Sequence, residues 1–138
     1  MPPDHFAPPP RPEFGPLPDW LSSCVETALH DLQGEAPVPV RLGYSEIDEG
    51  TLWVQERGSQ SILGVGLRGD RGALLVAHIA DELQEQFFPE TETAWGEPRP
   101  LCPGHTHPAR AALIGREPWW TCPRDGSPVA RIGQLAGD

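Results

Sequence analysis

The stretch Val38–Leu67, VPVRLGYSEIDEGTLWVQERGSQSILGVGL, decides the fold. Val38, Val40, Leu42 and Tyr44 alternate with Pro39, Arg41, Gly43 and Ser45, the period-two pattern of a half-buried strand. Asp48-Glu49-Gly50 supplies a turn into Thr51–Arg57, where Leu52 and Val54 share one face and Trp53 takes the other. Gly58-Ser59-Gln60 turns again into Ser61–Leu67, with Leu63, Val65 and Leu67 alternating. Connections this short imply an antiparallel meander, one face of which a helix must cover.

Both flanks can supply that helix. Upstream, Trp20, Leu21, Cys24, Val25, Ala28, Leu29 and Leu32 fall on one wide apolar stripe, with Asp19 as N-cap and Gly34 as stop. Cys24 lies inside the stripe and reads as a small buried thiol, while His30 falls off it and reads as solvated. Downstream, residues 73–88 place Leu75, Val76, Ile79, Ala80, Leu83 and Phe87 on one side, and Pro89 closes the segment. His78, Asp81, Glu82 and Glu85 lie elsewhere on that wheel and read as a solvated acidic face. The resulting order over residues 19–88, helix, three strands, helix, resembles the first half of small acidic secretion chaperones in element order and acidity.

At 138 residues the chain is expected to form one compact domain. Its 18 prolines are uneven: eight fall in residues 1–18, seven between Pro98 and Pro128, and none between Val40 and Phe88. Residues 1–18 (MPPDHFAPPPRPEFGPLP) therefore read as a disordered Pro-rich arm, since each proline removes a backbone donor and fixes φ. Within it, Pro8-Pro9-Pro10-Arg11-Pro12 would suit an aromatic groove, although a plain tail is the simpler reading. The formal charge is −10, from 20 acids against 10 arginines and no lysine, which argues against a general binder of nucleic acid or anionic membrane. With no apolar run of spanning length and no signal-like N-terminus, the expected location is the cytoplasm. Residues 1–96 carry −11 and residues 97–138 carry +1, so the chain divides into an arm (1–18), an acidic α+β body (19–96) and a third module (97–138) packed on that body.

The third module carries the chemistry. Cys102-Pro103-Gly104-His105 and Cys122-Pro123-Arg124-Asp125-Gly126 are two copies of one device, each offering a ligand three residues after its cysteine. Sixteen residues separate His105 from Cys122, inside the spacing of a tetrahedral zinc site. A Cys-Pro-x-ligand turn points two side chains one way, and Gly126 falls where such turns often need positive φ. The candidate metal ligands are Cys102, His105, Cys122 and Asp125, with His107 the alternative for the fourth place because His-x-His can aim both rings together. Trp119, Trp120, Leu113 and Ile132 are expected to form a small apolar patch beneath the metal.

These knuckles resemble the zinc-ribbon family, whose paired Cys-Pro-x-Cys-Gly turns sit at the tips of two β-hairpins. The likeness covers about the last 40 residues and departs from the pattern where His105 and Asp125 replace the second cysteine of each knuckle. It implies a β-hairpin module ordered by Zn2+. The whole chain is also similar to uncharacterised small proteins of high-GC bacteria bearing Cys-Pro-x-His-x-His-Pro and Trp-x-Cys-Pro segments, a likeness from which no activity follows.

The expected function is that of a small zinc-binding accessory or adaptor protein, acting on a protein partner, with zinc in a structural role and no catalytic residue. A zinc-dependent hydrolase is the second reading, with Cys102, His105 and Cys122 leaving a fourth position for water and Glu117 or His107 carrying a proton. A nucleic-acid-binding ribbon is the third, with Trp119 and Trp120 stacking bases beside Arg116 and Arg124. Deaminase and His-Glu-x-x-His signatures, a phosphate-binding glycine loop and a Gly-x-Ser-x-Gly elbow are all missing, and Arg68-Gly69-Asp70 reads as a turn.

Overall fold

A computed structural model describes residues 12–34, 37–97 and 99–135. The architecture is mixed α+β: two helices and two three-stranded antiparallel sheets. Helix α1 (Asp19–Gln33) leads into the first sheet, β1 (Val40–Ser45), β2 (Thr51–Glu56) and β3 (Ile62–Gly66), in sequential order. Helix α2 (Gly72–Glu82) follows, and then the second sheet, β4 (Arg110–Ile114), β5 (Glu117–Thr121) and β6 (Pro128–Arg131), again in sequential order.

The meander forms as its alternation requires. Leu42 pairs with Val54 and Tyr44 with Leu52, while Val54 faces Leu63 and Leu52 faces Val65. Leu52, Val54, Val65 and Leu67 enter one buried cluster with Leu21, Val25, Ala28 and Leu32 of α1 and Leu75, Ile79 and Ala80 of α2. On the opposite face, Trp53 sits in register between Gly43 and Gly64. Its ring lies over Gly64, where an added Cβ would come within 2.7 Å of it.

The second helix departs from its expected form. The α-ladder ends at Glu82, and the chain widens into a π-turn at Leu83–Phe87 and then a 3-10 turn at Phe88–Glu90. Pro89 cannot extend an α-ladder, and the wider turn carries Leu83, Gln84, Phe87 and Phe88 all into the interior. The acidic face is not simply solvated: Arg110 of β4 lies 3.0 Å from Glu85 and 4.0 Å from Asp81, and His78 Nε2 lies 2.8 Å from the Gly66 carbonyl.

Residues 12–18 also differ from the expectation of a disordered arm. Gly15 and Tyr44 exchange both backbone hydrogen bonds, at 3.1 and 2.9 Å, which adds a bridge to the outer edge of β1. Phe14 fills the space over Gly43, where an added Cβ would lie 2.6 Å from the Phe14 ring, and Arg41 stacks on that ring at 3.9 Å. The reason is local: Glu13, Phe14 and Gly15 form a proline-free window between Pro12 and Pro16, with a usable amide, carbonyl and aromatic ring. Residues 1–11, and with them most of the Pro8–Pro12 motif, lie outside the described residues.

Buried polar groups hold the second sheet to the rest. The Asp31 side chain, fully buried on α1, accepts from Trp120 Nε1 at 2.7 Å, Gly133 N at 2.6 Å and Leu135 N at 3.3 Å, and His30 Nδ1 lies 2.7 Å away. Gln84 Nε2 donates to the carbonyls of Arg99 and Ala109 at 2.8 and 2.5 Å. Arg99 donates to the α1 carbonyls of Leu32 and Gln33 at 3.3 and 3.1 Å. Among the described residues no helix is long and apolar enough to cross a membrane.

Deleting the buried acceptor strands several donors at once. Asp31→Ala is therefore expected to lower unfolding stability by about 3 kcal/mol, and Trp120→Phe by about 1–2 kcal/mol. Urea unfolding of both variants and of their combination checks this, the double variant losing less than the sum.

Candidate metal centre

Each knuckle is a tight turn fixed by its own backbone. In the first, Cys102 N donates to the His107 carbonyl at 3.0 Å, His105 N donates to the Cys102 carbonyl at 2.9 Å, and Leu101 bridges Pro108. Gln84, Arg99 and the Ala109 N–H to Pro100 carbonyl bond (2.8 Å) brace its base. The second knuckle is the β5–β6 connection, where Cys122 N donates to the Ser127 carbonyl at 2.8 Å and Gly126 N to the Cys122 carbonyl at 2.7 Å. Gly126 adopts φ +74°, the left-handed conformation its position was expected to need.

The two turns bring four side chains together: Cys102, His105, His107 and Cys122, with all ligand atoms within 4.8 Å of one another. Cys102 Sγ lies 3.3 Å from His105 Nδ1, and Cys122 Sγ lies 3.9 Å from His105 Nδ1 and 3.7 Å from His107 Nε2. A tetrahedral ion with S and N ligands at about 2.3 and 2.0–2.1 Å would span S···N edges of about 3.5 Å, the middle of those separations. The Cys2His2 cluster can therefore hold a metal ion. Both sulfurs are buried, His107 is half-buried and His105 faces solvent.

Asp125, first choice for the fourth place, is not in this cluster. Its Oδ1 accepts from Ser127 N at 2.9 Å and Ser127 Oγ at 2.7 Å, an Asx-type turn that shapes the knuckle, and its carboxyl also lies beside Cys122. Those two bonds also hold the Asp125 carboxyl below its ordinary range. The Asp-x-Ser spacing carried this signal, because aspartate commonly bonds the backbone two residues on.

The electrostatics suit a cation. Burial, and then the neighbouring Cys122 sulfur, push the Cys102 thiol above its usual range. Burial, followed by His105 and Arg124, lowers His107, keeping its ring neutral and able to donate a lone pair. A divalent ion would supply the positive charge that two neighbouring thiolates lack.

The apolar patch is smaller than expected. Trp120 and Ile132 are buried with Ala109, Trp119 is half-buried, and Leu113 is exposed because β4 is an edge strand whose outer end nothing covers among the described residues.

No protein-family model matches this chain, and neither a curated protein nor a solved structure matches it. The likeness to zinc ribbons thus rests on the two knuckles themselves, and the element order shared with secretion chaperones carries no function.

The four-residue cluster makes a discriminating prediction. His107→Ala is expected to reduce metal loading, measured by cobalt substitution and its thiolate-to-metal absorption, at least tenfold, as should Cys102→Ser. Asp125→Ala should leave the stoichiometry unchanged while loosening the 122–127 turn.

Proposed function

We propose that this chain is a small zinc-binding accessory or adaptor protein, in which zinc orders the C-terminal module and the work is recognition of a protein partner. The observation that carries the reading is the convergence of four Cys and His side chains, a number sufficient to close a metal site. Catalytic zinc sites keep three protein ligands and an open position, whereas structural sites are closed by four Cys and His side chains. Two thiolates and two imidazoles in tetrahedral spacing select zinc over the oxygen-loving cations.

Other features support the same reading. Within residues 99–135 only Cys102, Ala109, Trp120, Cys122 and Ile132 enter the hydrophobic core, and the segment is held to the helices through Asp31, Gln84 and Arg99, which supports a part of the chain that gains much of its order from a metal. A reducing, cytoplasmic setting fits three free thiols. The hydrolase reading loses its open site to His107. The nucleic-acid reading loses one of its stacking platforms, since Trp120 is fully buried and bonded to Asp31.

Metal analysis of protein purified without added metal should find about one equivalent of zinc. Less than a third of an equivalent would sink the proposal. Chelation should disorder residues 99–135 and lower Tm by at least about 10 °C, because the module loses its main staple. A chelated protein with an unchanged Tm would point instead to a non-structural metal.

A further inference from the structure

Strand β3 is the outer strand of the first sheet, and its two ends differ. At Gly66 the carbonyl is covered by His78. The Ile62–Gly64 end is exposed or half-exposed, with no bridge to any other strand on its outer side among the described residues. Beside that end runs a groove of about 440 Å³ between β3 and the turns that follow α2. Ile62, Leu63, Phe87 and Trp95 form its apolar walls. Trp95 is 71% exposed and Ile62 39%, an unusual display of large apolar surface beside an open strand edge.

The groove is also polarised. Two carboxylates line it, and no arginine or histidine does. Glu56 is already committed, accepting from Glu92 N, Thr93 N and Thr93 Oγ1 at 3.0, 3.3 and 3.1 Å, and this fixes the loop that carries Trp95. Glu90 is exposed and leaves a negative charge at the rim. The acidic body, residues 19–96, carries a formal charge of −10, from 14 acids and 4 arginines.

We infer that this groove is the docking site for an extended, basic and apolar segment of a partner protein, which adds a strand to the Ile62–Gly64 edge. Backbone pairing with β3 supplies the alignment, alternate apolar side chains enter beside Trp95 and Phe87, and the intervening cations meet Glu90 and the acidic body. The complementarity is of charge as well as shape, so acidic and neutral segments are disfavoured. This rests on the adaptor reading above and gives it a surface, but it is independent of the metal.

The test titrates the full-length protein with synthetic capped peptides of about six residues, the usual strand length. The basic probe alternates valine and arginine, a second alternates valine and glutamate, and a third is the basic probe with alternate amides N-methylated. Binding of the basic probe is expected to shift the Ile62, Leu63 and Gly64 amides and the Trp95 indole. The acidic and methylated probes should bind at least tenfold more weakly. Trp95→Ala should weaken the basic probe at least tenfold, and Glu90→Arg should reduce or invert the charge preference; both side chains are exposed, so folding is retained. Equal affinity for both charges, shifts confined to other residues, or indifference to both substitutions would overturn the inference. So would a concentration-dependent dimer broken by Ile62→Asp, which would make a second copy the occupant. A synthetic copy of residues 1–11 binding the groove more tightly than the basic probe would likewise assign it to the chain's own N-terminus. Zinc measured on the same samples separates the two claims: peptide binding without zinc sinks only the metal reading, and zinc without peptide binding sinks only this one.

Discussion

One carboxylate joins the beginning of this fold to its end. Asp31 sits on the last turns of α1, and its partners Trp120, Gly133 and Leu135 come from the final strands and the segment beyond them. Burying a carboxylate is expensive unless nearly every lone pair finds a donor, and here the donors come from elements distant in sequence. Shifting the second sheet against α1 would part these donors from the carboxylate. Once Trp120 is seated, the β5–β6 turn and its Cys122 are placed. Gln84 and Arg99 do the corresponding work for the turn that carries Cys102.

The Cys2His2 cluster is thereby positioned from below. Each knuckle is shaped by its own backbone bonds, but their convergence depends on the sheet and on the buried polar contacts that hold the sheet to the helices. A metal bound there would tie the two turns to each other, above the contacts that tie the sheet to the helices. The sulfurs are buried, His107 is half-buried and His105 is exposed, so the cluster opens to solvent on the His105 side.

The features legible in the sequence were those written in short-range periodicity and in turn chemistry. Alternation in Val38–Leu67 dictated the meander, the stripe from Trp20 to Leu32 dictated α1, and two Cys-Pro turns announced two ligand-bearing knuckles. What stayed hidden involved choices between groups or partners far apart. Asp125 and His107 were both eligible ligands by type; the fold gathers His107 with the two cysteines and His105, while Asp125 bonds Ser127 within its own turn. Asp31 looked like any acidic residue of a helix, because its partner Trp120 lies 89 positions on. The π-turn after Glu82 escaped notice because Leu83 and Phe87 fit the α-period equally well. The ordering of residues 12–18 depended on a missing side chain at Gly43, which no local pattern connects to Phe14.

The bridge between Gly15 and Tyr44 has a bearing on how copies of this protein can meet. A sheet with two bare edges can accept a neighbour on each side and so grow without limit into a fibre. Here the Tyr44 end of the β1 edge is bridged by the chain's own Gly15, whereas β3 has no bridge on its outer side among the described residues. A copy that pairs through β3 therefore meets a partly covered edge on the far side of the meander. The two edges are unequal, which favours pairing of copies through β3 over end-to-end growth through both.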